Sequence, residues 1–337
     1  MSLPSLNSDI CLIISENIIK PYYKLLDWID IDNLNYDYLS YNPNAIDFLA
    51  KNKNKINWKF LSRNPNAIKL LENNIDKIDW YYLSNNPNAI EILKNNLDKI
   101  DWNYLSHNPN AIEILKENPD KIVWKWLCLN TNPLAIDILR ENPDKINWKW
   151  LSDNENAIEL LKENTDKISY NWLCRNPNAI EILKNNSVNI DWSILSSNPN
   201  AIQLLKDNLD KVDWRVLSGN HNAIDILKDN FNKIDWCVLS GNHNAIELLK
   251  QNKDKIDWYW FSQNKNEEAI EILKDNIDKI DWLNLSQNTN LKAIELLKQN
   301  KDKIDWNIFS SNPSIFELDY DENTLDKISS VISLLFT

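Results

Sequence analysis

Glycine is almost missing from this chain, with 2 in 337 residues. That excludes the glycine-rich loops that cradle phosphates and the primed turns of tight β-hairpins. Arginine is also scarce, 4 against 33 lysines. The four cysteines, Cys11, Cys128, Cys174 and Cys237, form no CxxC pair and no disulfide framework. There are three histidines, His107, His221 and His243. No Ser/His/Asp set, isolated carboxylate pair or Walker-type loop stands out. The expectation is therefore no catalytic, cofactor or metal site. No apolar run approaches the roughly 20 residues of a membrane helix, and residues 1–20 lack a signal-peptide pattern. The reading is a soluble, intracellular protein. The formal net charge of −12 argues against a phosphate-backbone binder, so nucleic acid is not the expected partner. A basic partner, or simple solubility, fits it better.

What the chain has instead is self-similarity. An Ala-Ile pair recurs from Ala45 to Ala293 every 22 residues, with 24 at three places. An aromatic anchor keeps the same period: Tyr36, Trp58, Trp80, Trp102, Trp124, Trp148, Tyr170, Trp192, Trp214, Trp236, Trp258, Trp282 and Trp306. One unit reads Asn-Pro-Asn-Ala-Ile-Glu-Ile-Leu-Lys-Asn-Asn, then Leu-Asp-Lys-Ile-Asp-Trp-Asn-Tyr-Leu-Ser and a variable residue. The Asn-Pro predicts the start of a helix A, with Asn as cap and Pro in the first turn. Ala89, Ile90, Ile92 and Leu93 share its inner face. Helix A should end near Asn96 in a left-handed cap. Asp79 and its equivalents cap a shorter helix B, α-helical or partly 3₁₀, in which Trp80 and Leu83 share a face.

Isolated helices need about 12–15 residues, so each unit must layer on its neighbours. The fold class is all-α, an α-solenoid of 12–13 repeats. Residues 34–316 form the array, 1–33 an N-terminal helical cap and 317–337 a C-terminal helical cap ending in a helix from Leu325 to Phe336. At ~9 Å per unit, the array should be an elongated, curved rod about 100–120 Å along its arc.

The Asn-Pro-Asn-Ala-Ile, Asp-Lys-Ile-Asp-Trp and Leu-Ser pattern over residues 34–316 resembles the Trp- and Asn-rich tandem repeats in proteins of giant DNA viruses of amoebae, mimivirus-like viruses in particular. The resemblance implies a viral origin, with the host cytoplasm or the virion as location. At fold level the unit is similar to leucine-rich-variant repeats, which alternate an α-helix with a short 3₁₀-type helix.

Positions that vary from unit to unit are free to meet a ligand. The anchor aromatics pair with a Leu or Phe three residues on and read as core wedges rather than a base-stacking ladder. Two residues after the anchor runs a second apolar stripe: Tyr38, Phe60, Tyr82, Tyr104, Trp126, Trp150, Trp172, then Ile194, Val216, Val238 and Trp260, with Asn284 breaking it. It reads either as half-buried filler or as an aromatic groove with the anchors typical of protein hot spots. One after the anchor, and again one after the repeated Ser, the residue changes freely. The candidate partner-binding residues are Tyr82, Tyr104, Trp126, Trp150 and Trp172 with Lys125, Lys149, Asn171 and Arg175. A second candidate edge carries the three two-residue insertions, near Asn130–Leu134, Lys265–Glu268 and Thr289–Lys292. The Glu-Lys pairs of helix A, such as Glu91 and Lys94, read as a solvated face. The repeated Asn reads as capping and loop bonding. His221 and His243, in adjacent units, should lie roughly 9 Å apart, too far to share a zinc ion unless both lean inward. The functional expectation is a non-enzymatic scaffold for a protein partner. The alternatives are an acidic rod mimicking nucleic acid, or an architectural virion component.

Overall fold

In the computed structural model, which describes residues 22–319, each of the first twelve units is a short B helix followed by an outer A helix, and unit 13 follows its B helix with the 3₁₀ turn Pro313–Ile315. Unit 4 is typical: B helix Trp102–His107, a turn through Asn108–Pro109–Asn110, then A helix Ile112–Glu117. The repeated Asp starts the B helix as expected, since the Asp101 carboxylate accepts from the amides of Asn103 and Tyr104. Leu105 and the equivalent Leu or Phe of the other units are fully buried, and the anchor aromatics pack half-buried against that core. The all-α repeat solenoid is thus the fold, with thirteen B helices marking thirteen units.

The junctions differ in detail from expectation. In most units the Asn-Pro-Asn forms a turn, and helix A begins at the Ile that follows the repeated Ala, as at Ile90–Lys94. Pro occupies the first helical turn only in Pro133–Glu141, where an insertion lengthens helix A and Asn132 caps it. Helix A does not end in a left-handed Asn. The Asn96 side chain donates back to the Ile92 carbonyl at 2.9 Å, satisfying a last-turn acceptor without positive φ. A three-residue 3₁₀ turn, such as Ile75–Lys77, then leads into the next B helix.

The larger correction concerns the ends. The expected open rod closes on itself. In every unit the Asn after the B helix sends its amide across the joint to two carbonyls of the preceding unit. Asn86 donates to Ser62 and Asn64 at 3.1 and 3.0 Å. Asn42 of unit 1 donates in the same way to Ser310 and Asn312 of unit 13, at 3.1 and 2.9 Å. A second bond repeats the pattern: wherever the previous unit carries the repeated Ser, the backbone N–H before the anchor donates to its hydroxyl, as Asp101 does to Ser84, and Asn147 donates instead to the Cys128 sulfur. Asn35 does so to Ser310 across the seam, at 2.9 Å. The described parts of the two expected helical caps do not form helical caps. Strand β1, Tyr22–Leu25, pairs antiparallel with β2, Phe316–Asp319, and clasps the seam. Both segments lack the Ala-Ile and Trp register, so they cannot extend the helical layering, and their extended backbones satisfy each other instead. The expected helix Leu325–Phe336, the first part of the N-terminal cap and Cys11 lie outside the described residues.

Thirteen units sharing one full turn rotate by about 28° each. Most successive B helices, and the pair across the seam, approach each other more closely than successive A helices do, the A helices Glu267–Lys274 and Leu291–Gln299 excepted. In a ring the crowded layer is the inner one, so the B helices line the opening. At ~9 Å between helix axes their circle is roughly 37 Å across; subtracting side chains leaves an opening of about 25 Å.

Candidate binding wall

In each B helix the buried Leu or Phe faces the A layer. The residues one, two and five after the anchor lie on the opposite side of the helix, facing the opening. All nine residues singled out from the sequence fall on this surface, in units 3–7. Their aromatic members are half-buried, while Lys125, Lys149, Asn171 and Arg175 are exposed.

Inner-wall crowding brings equivalent side chains of neighbouring units into contact. Tyr104 and Trp126 lie 6.4 Å apart between ring centroids, Trp126 and Trp150 5.4 Å, and Trp150 and Trp172 5.9 Å. Tyr81, beside them, meets Tyr104 edge-on at 4.4 Å, and their hydroxyls are 2.6 Å apart. That hydrogen bond pushes the Tyr81 phenol up to about 12. Cations thread the row. The Lys125 ammonium is 4.3 Å from the Trp150 centroid, Lys149 is 5.4 Å from Trp172, and the Arg175 guanidinium is 5.0 Å from the same ring. Desolvation holds the Asp153 carboxyl above its usual range, with Arg175 opposing. The wall thus offers indole and phenol surface with positive charge set into it.

The chain-wide acidity hides this local sign. Units 5, 6 and 7 carry Val123, Asn147 and Ser169 where units 8 to 13 all carry a capping Asp, from Asp191 to Asp305. Units 3 and 4 keep Asp79 and Asp101, so it is the stretch of units 5–7 that faces an arc with an acidic rim.

Other features take structural roles. The anchor aromatics are joint elements, each typically covered by a lysine of the next unit, as Lys77 covers Trp58 at 4.9 Å and Lys99 covers Trp80 at 4.8 Å. The Glu-Lys pairs of helix A are exposed ion pairs on the outside, Glu113–Lys116 at 3.1 Å for instance. The insertions lengthen three A helices, Pro133–Glu141, Glu267–Lys274 and Leu291–Gln299, on the outer layer away from the opening. Asn284 breaks the stripe because it is buried and donates to the Tyr259 carbonyl at 3.0 Å. His221 and His243 are much closer than the backbone spacing implied, with centroids 4.1 Å apart. No group of three or more potential metal-ligating residues occurs among the described residues. None of the helices described is long and apolar enough to cross a membrane.

No family model, no curated protein and no solved structure matches this chain.

Proposed function

We propose that the chain is a non-catalytic, ring-shaped scaffold that holds an extended segment of a protein partner along the inner wall of units 3–7. The observation that carries this is the contiguous row of Tyr104, Trp126, Trp150 and Trp172, which Tyr81 links to Tyr82, with Lys125, Lys149 and Arg175 on one concave surface. Half-buried aromatics with adjacent cations give desolvated contact area and charge-assisted bonds, the composition of binding hot spots. A segment bearing acidic and aromatic side chains complements it. The net charge of −12 had pointed to a basic partner, but the local charge of this arc favours an acidic one. A nucleic-acid strand, with one charge per nucleotide, is less suited to the opening, because the aspartate rim of units 8–13 lies on the same inner layer. The mimicry reading is weakened too, since the outer acids alternate with lysines they pair with.

The test uses fluorescence anisotropy with a labelled glutamate–tyrosine copolymer as probe. The triple variant K125E/K149E/R175E changes only exposed side chains and should fold. It should lose binding at least tenfold, and a lysine–tyrosine copolymer should bind the native ring more weakly. Equal binding of the triple variant, or preference for single-stranded oligothymidylate over the acidic copolymer, contradicts the proposal.

A further inference from the structure

The chain's two glycines, Gly219 and Gly241, occupy the same register in consecutive units, directly after the repeated Ser. Elsewhere this register holds larger residues such as Tyr41, Arg63, His107 and Arg175. The backbone does not require glycine at either site. Gly241 ends its helix at φ −79°, ψ −13°, which any residue adopts, and Gly219 lies within helix Trp214–Gly219. A Cβ at Gly241 would meet nothing nearer than 3.7 Å, whereas one at Gly219 would come within 3.1 Å of Val238. Folding alone does not explain Gly241.

Two further departures from the repeat coincide here. The second residue of the Asn-Pro-Asn turn becomes His221, His243 and Lys265 in units 9, 10 and 11. The stripe residue shrinks to Val216 and Val238 before returning to Trp260, which is 41% exposed. Together they open a cavity of about 460 Å³, lined by both glycines, Trp260, the two histidines and Lys265 among others. That is the size of a small-molecule site.

The polar groups are arranged for an anion. The Asn242 amide donates to the carbonyls of Ser218 and Asn220, which leaves its oxygen as an acceptor. That oxygen is 2.8 Å from His221 Nδ1, so Nδ1 carries the proton and donates. Lys265 makes no ion pair among the described residues. Desolvation first, then the nearness of His221 and Lys265, depresses His243 below the usual imidazole range, so it stands as a neutral N–H donor beside the Lys265 ammonium.

We propose that this cavity binds a small planar anion, an aromatic ring lying against Trp260 over the glycine floor with its phosphate or carboxylate at Lys265 and His243. It is separate from the aromatic arc of units 3–7 and does not depend on it.

Calorimetric titration of the full chain with adenosine monophosphate, phenyl phosphate, benzoate, adenosine and inorganic phosphate tests this. At least one aromatic anion should bind saturably, at least tenfold more tightly than adenosine or phosphate alone. Whether phenyl phosphate and benzoate or only the nucleotide binds distinguishes a simple aryl anion from a nucleotide. Lys265→Gln should weaken the bound anion at least tenfold, and Gly241→Leu, which fills the cavity, should abolish it. Ser311→Leu, at the same register in unit 13, should leave it unchanged. Circular dichroism confirms that each variant folds. No saturable binding by any aromatic anion, equal affinity for adenosine or for phosphate alone, or unchanged binding by folded Gly241→Leu overturns the proposal.

Discussion

The joint between units 13 and 1 joins residues 268 positions apart in the chain, whereas an interior joint joins residues about 22 apart, yet the two are bonded alike. At the seam Asn42 donates to Ser310 and Asn312; between units 6 and 7, Asn176 donates to Ser152 and Asn154. The seam differs in what is added. The β-clasp, a Leu26 N–H to Ile315 carbonyl bond, the Trp28–Phe309 contact at 5.9 Å and Lys301 reaching the Trp28 carbonyl all lie there. In the flexible-chain limit, closing a loop of some 270 residues instead of 22 costs about 2 kcal/mol more. A few net hydrogen bonds at about 1 kcal/mol each offset that. One bonding pattern therefore serves every joint, and the clasp compensates for the long way round.

The comparison can be broken most forcefully in the core. Phe309 beside the seam and Phe261 in the interior are equivalent and fully buried. Phe309→Ala and Phe261→Ala should each cost about 3–5 kcal/mol in chemical denaturation. A much smaller cost at Phe309 would mean that unit 13 ends the array instead of packing onto unit 1. Next come the amides. Asn42→Ala and Asn176→Ala each leave two buried carbonyls short of a donor, at roughly 2–4 kcal/mol. Matching losses support identical joints, and a negligible loss for Asn42→Ala argues for an open seam.

Cys128 offers a finer probe, because here sulfur replaces the Ser hydroxyl and accepts from the Asn147 N–H at 3.3 Å. Burial pushes this thiol up to about 11. The folded state then keeps its proton after the unfolded chain has lost it, so stability contributed below pH 9 should drain away between about pH 9 and 11. The loss is on the order of 2 kcal/mol. Cys128→Ser should remove that part of the alkaline decline, seen as the difference between the two denaturation profiles. The smallest effect is at neutral pH, where the same substitution restores a stronger acceptor and should stabilise by about 0.5–1 kcal/mol. Destabilisation there would mean the joint is fitted to sulfur.

The unit, its two helices, the aspartate caps and the three wall registers were legible because each depends on local periodicity and capping chemistry. All nine candidate wall residues share one surface for the same reason. Closure was not legible. A rotation of about 28° per unit arises from small differences in side-chain volume between layers, and nothing in the Ala-Ile or Trp spacing encodes it. The repeated Asn carried a double role that composition conceals. The Asn86 oxygen bonds within its own turn, to the Asn88 N–H, as a loop residue should, while its amide crosses the joint. The cavity of units 9–11 was not legible, because its glycines, histidines and lysine come from three consecutive repeats and line one space only when those units stack.

Closure itself is open to a direct distance measurement. Asp37 and Asn307 are both exposed wall positions one after the anchor, in units 1 and 13. Cysteines placed at these two sites, in a chain whose native cysteines are serine, can carry a donor and acceptor dye. The ring predicts near-complete energy transfer, equal to that of a control pair at Asp37 and Lys59 in the sequence-adjacent units 1 and 2. Transfer close to zero, as for dyes near opposite ends of a rod of ~100 Å, would contradict it.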